Sequence, residues 1–365
     1  MTWQPGPSKI EFPEIFEQDH VCLSQKNLKP CSWQLDSPVG IRLLERIRKC
    51  GTPLGEYCKG RFYRGVLTGF NEAFVVNRAT RDRLIEEHPS SDAVLKPFLR
   101  GRDVKRWRCE PQDLWLIFTR RGIDIKAFPA VHAYLKPYQQ RLTPGVPGGR
   151  KPGSYEWYEI QDNIAYWQEF NQPKIVYPDI YEHQTFAFDT EGYFFGNTCY
   201  FVPTDEKWFL SFLNSSLMEW FYGSISNRIR GGYLRAFSQY VGQIPIPTAT
   251  EDQKQLCENL SSALIFLHRS EAASLPTRGL MVSYFEQWLN GLVYELFFPG
   301  ELHARNLYIF DVTASVGFPA DPSAPHYAGE LQLAFECAHD LNKPLRAMLA
   351  DLQTIEEVRI IEGGK

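Results

Sequence analysis

Residues 241–256 read VGQIPIPTATEDQKQL, and this stretch separates two parts of the chain that have different sequence patterns. Its Ile-Pro-Ile-Pro segment cannot lie in the middle of a sheet, because proline donates no backbone hydrogen bond to a neighbouring strand. Thr250 and Gln253 then have the spacing of a capping box, which marks the first turn of a helix. Apolar residues follow at helical spacing, at Leu256, Leu260, Leu264 and Leu267. The stretch therefore predicts a change of architecture at residue 248.

Before that boundary, short apolar runs alternate with turn residues. DLWLIFT at 113–119 and PKIVYPDI at 173–180 are predicted to be buried strands. GYFFGNTCYFVP at 192–203 is predicted to be a hairpin that turns at Gly196-Asn197. Residues 143–157 hold four glycines and three prolines, which predicts a long exposed loop.

After the boundary, helical spacing continues along the chain, most clearly from Phe285 to Leu296. We therefore predict an α+β fold. Residues 1–36 are expected to be an irregular lead-in, residues 37–248 a mixed α/β domain with short twisted strands, and residues 249–365 a helical C-terminal domain.

The charge of the chain is distributed unevenly. Its 365 residues carry a formal net charge of −4, but residues 251–365 hold 8 basic and 16 acidic residues, which leaves residues 1–250 with a balance of +4. An overall acidic protein can still bind DNA, because phosphate contacts act over about 8–10 Å and need only a local positive surface. No apolar run is long enough to span a membrane and no export signal opens the sequence, so we expect a cytoplasmic protein.

No metal site or active site is evident in the sequence. The eight cysteines are scattered without a CxxC pair, and Cys50 and Cys58 lack zinc-finger spacing, so free thiols and no metal are expected. Phosphate-binding glycine motifs and the nucleophile elbow are absent. Asp179 and Glu182 form a carboxylate pair of the kind that holds magnesium in nucleases, but no Glu-x-Lys follows it, and His183 is read as a structural histidine.

Three clusters of basic residues lie in the first two thirds of the chain. LKPFLRGRDVKRWRCE at 95–110 holds six Lys and Arg against two acids. GRFYRGVLTGFNEAFVVN at 60–77 and SNRIRGGYLRAFS at 226–238 place further arginines beside glycines. Glycine lets a backbone approach a phosphate closely, and the planar fork of arginine suits a phosphate or the O6/N7 edge of guanine. The clusters therefore favour DNA as the partner, although solvated surfaces paired with local acids would give the same pattern.

These blocks, with PKIVYPDI (173–180) and GNTCYFV (196–202), also support a resemblance. Together with residues 212–247 they resemble the TaqI-like C-terminal specificity domain of adenine-N6 DNA methyltransferases and type IIG restriction–modification enzymes. The resemblance implies a target-recognition domain over residues 37–248 that grips double-stranded DNA and reads base edges from the major groove. The S-adenosylmethionine-binding domain that precedes this part in the family has no counterpart in these 365 residues. The resemblance thus implies that the cofactor binds a methyltransferase domain or subunit and that this chain carries no catalytic residue.

From these patterns we assign two sets of candidate residues. The predicted phosphate contacts are Lys96, Arg100, Arg102, Lys105, Arg106, Arg228, Arg230 and Arg235. The predicted base readers are Arg61, Arg64, Asn71, Arg150, Tyr155 and Asn197. Two alternatives stay open: a nuclease that uses the Asp179 carboxylate, and a module that binds a ligand other than DNA through the aromatic residues of 155–167.

Overall fold

The fold is given by a computed structural model, which describes residues 37–226, 232–269, 272–273 and 275–363. The predicted lead-in, residues 1–36, lies outside the described residues. The strands are β1 (Gly51–Pro53), β2 (Tyr63–Arg64), β3 (Val75–Asn77), β4 (Leu95–Leu99), β5 (Val104–Lys105), β6 (Arg108–Cys109), β7 (Leu114–Ile117), β8 (Lys174–Pro178), β9 (Ile180–Tyr181), β10 (Ala187–Asp189), β11 (Phe194–Phe195), β12 (Cys199–Pro203), β13 (Leu234–Arg235) and β14 (Pro245–Pro247).

The helices of the first two thirds of the chain are short. They are α1 (Pro38–Lys49), α2 (Leu54–Tyr57), α3 (Asn71–Phe74), α4 (Arg78–Glu87), α5 (Pro129–Leu135), α6 (Gln139–Leu142), α7 (Phe209–Leu213), α8 (Ser216–Ile225) and α9 (Ser238–Val241). The helices that follow are α10 (Glu251–Leu267), α11 (Arg278–Phe297), α12 (Pro299–His303), α13 (Ile309–Val316), α14 (Tyr327–His339), α15 (Pro344–Asp351) and α16 (Glu356–Gly363). The predicted α+β fold is confirmed, and Thr250 and Gln253 cap α10 as the sequence predicts.

Two four-stranded sheets form the centre of the mixed part. One has the strand order β10-β8-β12-β2 and the other β11-β4-β7-β3. The predicted strands at 113–119 and 173–180 are confirmed as β7 and β8, and all five residues of β8 are buried. The other six strands pair in three two-stranded ladders, β1-β14, β13-β9 and β5-β6.

The predicted hairpin at 192–203 is wrong. Strand β11 pairs in parallel with β4, whereas β12 pairs antiparallel with β8 and β2, so the two strands belong to different sheets. The turn between them closes with a 2.9 Å hydrogen bond from the Cys199 N–H to the Gly196 carbonyl. Gly65 packs so closely here that a Cβ atom would lie 2.1 Å from that carbonyl oxygen. The glycines therefore mark a crossing between sheets rather than a hairpin end.

A buried ion pair fixes the register of β8 against β10. The Lys174 ammonium lies 2.6 Å from the Asp189 carboxylate, both side chains are almost wholly inaccessible, and the two residues are paired in the ladder. The carboxylate also accepts hydrogen bonds from the backbone N–H groups of Glu191 and Tyr193. A buried charge needs such full compensation, because an unpaired one is strongly unfavourable.

Hydrophobic residues form two core clusters. One surrounds the sheets and includes Phe98, Leu116 and Phe201. The other joins residues from both sides of the predicted boundary at 248, for example Phe212 and Trp288. The helices α1, α7 and α8 thus share their core with the C-terminal helices, and the division at residue 248 stays a prediction. No helix in the described part of the chain is long and apolar enough to cross a membrane.

Candidate nucleic-acid interface

The basic stretch at 95–110 begins with a tight turn that a buried carboxylate holds. Gly101–Asp103 forms one turn of 3₁₀ helix, and the Asp103 side chain is 4% exposed. Its two oxygens accept hydrogen bonds from the backbone N–H, Nε and Nη2 of Arg100, at 2.9, 2.8 and 2.9 Å. This ion pair raises the pKa of the Arg100 guanidinium. Arg100 therefore holds the turn, and only its remaining nitrogen is available for the predicted phosphate contact.

Glycine is required at the first residue of this turn. A Cβ atom on Gly101 would lie 2.8 Å from Oγ1 and 3.0 Å from the carbonyl oxygen of Thr198. The Gly101 N–H donates to Thr198 Oγ1 at 3.2 Å. The turn is therefore docked against the segment that connects β11 to β12.

Arg102 in this turn and Lys105 in the following strand β5 are both exposed cations. Both side chains are exposed, and neither has an ion-pair partner within 4.0 Å among the described residues. Lys96 also lacks such a partner, but it is half-buried in β4 and does not line the cleft described below. Arg102 and Lys105 thus fit the predicted phosphate contacts best.

The end of the basic stretch is anchored to the helical region. Trp107 is fully buried with a backbone φ of +72°, and its indole N–H donates to Glu286 of α11 at 2.9 Å. Arg106 donates to the Asn214 carbonyl at 2.9 Å and lies 3.1 Å from the Glu286 carboxylate. The predicted phosphate contact of Arg106 would therefore require it to leave an existing ion pair.

A cleft of about 580 Å³ lies between this turn and residues 178–185. Arg102, Lys105 and Arg106 line one side, and Asp179, Glu182 and His183 line the other. Nothing in the sequence pattern predicts that these acidic residues lie next to the basic stretch.

The other two basic clusters reach the same region. Burial raises the pKa of Asp179, and the nearby charges of Arg235 and Arg64 oppose that rise. Arg64 is exposed and donates from Nε to the Asn197 carbonyl at 2.9 Å. Arg235 is half-buried on β13, with its guanidinium 5.3 Å from the centre of the Phe237 ring. One arginine from each of these two clusters thus acts on the charge of Asp179, although neither Arg64 nor Arg235 lines the cleft. Arg228 and Arg230 lie outside the described residues.

Two predicted base readers are corrected by the structure. Arg150 is 5% exposed, and its three guanidinium nitrogens donate to five backbone carbonyls, those of Leu142, Thr68, Glu159, Glu156 and Trp157. Burial lowers its pKa to about 10. Tyr155 is 7% exposed, and its hydroxyl donates to the Lys151 carbonyl. Both residues hold the loop that follows α6, so neither can reach a base without dismantling it.

The remaining candidates are accessible. Arg61 pairs with Glu169 at 2.8 Å on the surface and faces a different depression from the cleft. Asn71 is exposed, and its side-chain oxygen accepts from Thr68 Oγ1 at 2.6 Å. Asn197 is half-exposed beside Arg64. Of the six predicted base readers, Arg64 acts on the charge of Asp179, and Asn197 directly precedes Thr198, which lines the cleft.

The described residues give no support to the two alternatives. No group of three or more His, Cys, Asp or Glu side chains in the described ranges could hold a metal ion. The described cysteines, Cys50 and Cys58 included, are free thiols. In the second alternative, aromatic residues of 155–167 would bind a ligand other than DNA, but these rings pack against other rings of the protein. Trp157 contacts the His132 and Tyr158 rings, and Tyr166 stacks on Tyr63.

Comparison with known proteins connects this region to a DNA-modifying family. Residues 96–246 match the model of the TaqI-like C-terminal specificity domain. The chain is 26% identical over 239 residues to the type II methyltransferase M.PaeR7I of Pseudomonas aeruginosa, covering 64% of this chain and 40% of that protein. It is 28% identical over 254 residues to the type II methyltransferase M.XhoI of Xanthomonas vasicola, covering 67% of this chain and 44% of that protein.

Among solved structures, the chain resembles the type IIL restriction–modification enzyme MmeI in complex with DNA. The TM-score is 0.45 at 17% identity, and the match covers 70% of this chain and 35% of that one. The match to both curated methyltransferases above spans less than half of their length.

Replacing Asp103 by asparagine is expected to destabilise the protein. The Asp103→Asn variant loses a buried, charge-assisted pair with Arg100, and this should lower the free energy of unfolding by about 1–3 kcal/mol. Urea denaturation measures the change. The control is Asp82→Asn, which removes the exposed ion pair with Arg81 and should cost about 0–1 kcal/mol. Equal effects of the two substitutions would contradict the role given to Asp103.

Proposed function

We propose that the chain recognises a specific sequence in double-stranded DNA, because residues 96–246 match the TaqI-like C-terminal specificity domain. It does so for an adenine-N6 DNA methyltransferase or restriction–modification enzyme that defends against phage. One observation carries the proposal beyond the family match: Arg102 and Lys105, which have no ion-pair partner among the described residues, line a cleft together with Asp179, on whose carboxylate the charges of Arg64 and Arg235 also act.

The cleft supplies both kinds of contact that sequence-specific binding needs. Contacts to phosphates fix register and orientation, while contacts to base edges carry the sequence information. In this proposal Arg102 and Lys105 bind phosphates, with Arg235 and Lys96 as further candidates. Arg64 is the favoured base reader because its fork is exposed and one nitrogen is held by the Asn197 carbonyl, so its direction is set before DNA arrives.

The chemistry of methyl transfer is assigned to another domain or subunit. That component would bind S-adenosylmethionine and extrude the target adenine from the helix, since a methyltransferase cannot reach its target atom inside the base stack. The match spans about two fifths of the length of M.PaeR7I and M.XhoI. The C-terminal helices, which share a core with α1, α7 and α8, would brace that partner.

Selection from a pool of random duplexes tests this function. The 365-residue chain, immobilised at moderate salt, should enrich a motif of several base pairs, because base-edge contacts discriminate by about 1–3 kcal/mol each. Sequencing of the retained DNA reads out the motif. Retention that depends on salt but favours no sequence would mean that this chain supplies affinity without specificity. An absence of retention at low salt would contradict DNA binding itself.

Arg102→Ala should weaken binding to all sequences alike. Removal of one phosphate contact is expected to flatten the slope of log affinity against log salt by about one, without changing the preferred motif. Fluorescence anisotropy of a labelled duplex at several salt concentrations measures that slope. The control is Arg305→Ala, which removes an exposed arginine outside the cleft and should leave the slope unchanged. The same slope in all three proteins would remove Arg102 from the phosphate contacts.

A further inference from the structure

Asp179 is an acidic residue that lines the same cleft as the exposed cations Arg102 and Lys105. It follows β8, whose five residues are all buried. Its backbone N–H donates to the Thr198 carbonyl at 2.8 Å, and its own carbonyl accepts from the Ala236 N–H at 2.9 Å. The backbone is thus fixed on both sides, and the residue lines the cleft opposite Arg102.

The carboxylate is not neutralised by a contacting cation in the described part of the chain. No Lys or Arg nitrogen there lies within 4.0 Å of it, although the charges of Arg235 and Arg64 act on it from further away. A carboxylate in this position repels phosphate and so lowers the affinity for every DNA sequence alike. Phosphate binding therefore gives no reason for an acidic residue here.

The base edges of DNA do give a reason. An ionised carboxylate only accepts hydrogen bonds. In the major groove the donors that a duplex offers are the exocyclic amino groups, N4 of cytosine and N6 of adenine. The half-buried setting of Asp179 strengthens such a hydrogen bond, because competing water is partly excluded.

Resting on the function proposed above, we propose that Asp179 is a specificity-determining residue whose carboxylate accepts a hydrogen bond from an exocyclic amino group of one base in the target sequence. Arg102 and Lys105 would hold the flanking phosphates while Asp179 contacts the base edge between them. The carboxylate then lowers the affinity for unrelated DNA because it repels phosphates. Where a cytosine or adenine occupies the contacted position, the hydrogen bond from its amino group offsets this loss of affinity.

Glu182 provides a matched control within the same cleft. It lies three residues further along, carries the same charge and lines the same cavity. Unlike Asp179 it is exposed, so its side chain is free to turn away from bound DNA. Removing either charge should raise the affinity for unrelated DNA, but only the loss of the Asp179 carboxylate should alter the preference for a base.

The experiment compares the full chain with three variants, Asp179→Ala, Asp179→Asn and Glu182→Gln. The motif selected by the wild-type chain is varied to all four base pairs at each position, and the affinities are measured by competition. The wild-type chain should prefer cytosine or adenine at one position. Asp179→Ala should reduce discrimination there by about 5- to 150-fold and leave the other positions unchanged. Glu182→Gln should keep every preference.

Each contrary outcome has a distinct meaning. If Asp179→Ala keeps all wild-type preferences, Asp179 does not read a base, while the proposed function stands. If the wild-type chain shows no base preference at all, the proposed function fails and this role fails with it. If Asp179→Ala is unfolded by circular dichroism, the isosteric Asp179→Asn decides, since it adds an amide donor and should change the preference at the same position. A uniform loss of affinity at every position in that variant would show a structural role instead and overturn the proposal.

Discussion

The hydrogen bonds between Asp103 and Arg100 are the interaction on which the cleft depends. A buried carboxylate there accepts three hydrogen bonds from one arginine and thereby closes the Gly101–Asp103 turn. Because the turn is closed, Arg102 and Lys105 are directed outwards with no ion-pair partner in the described ranges. One arginine of the basic stretch is thus used to build the turn so that other cations are left available for a ligand.

The helical region takes part in forming this surface. Trp107 and Arg106 both contact the carboxylate of Glu286 on α11, so the basic stretch is held between the mixed sheets and the C-terminal helices. The acidic balance of the last third of the chain includes this contact. Its carboxylates therefore do not simply oppose DNA binding; one of them positions the segment that carries the positive charge.

The sequence predicts the helices and strands better than it predicts which of them contact each other. The helix cap at Thr250 and the buried strand β8 follow from local patterns, and both are confirmed. The hairpin at 192–203 was wrong because a long-range parallel pairing with β4 outweighs a local turn signal. Arg150 is predicted to read a base because it lies beside glycine and tyrosine residues in a loop. The local sequence is the same whether its guanidinium faces solvent or donates to five backbone carbonyls. The sequence identifies Asp179 as a candidate functional carboxylate. That it lines the same cleft as Arg102 and Lys105 depends on tertiary contacts, which the sequence pattern does not predict.

Hydrogen exchange in the presence and absence of a short duplex tests most directly whether this cleft is the surface that meets DNA. We expect slower exchange of backbone amides in residues 100–106 and 178–185 when DNA is bound, because both sides of the cleft are then covered. Amides of α13 to α16, which line no part of the cleft, should exchange as before. Protection confined to those helices, with the two cleft segments unchanged, would contradict the account.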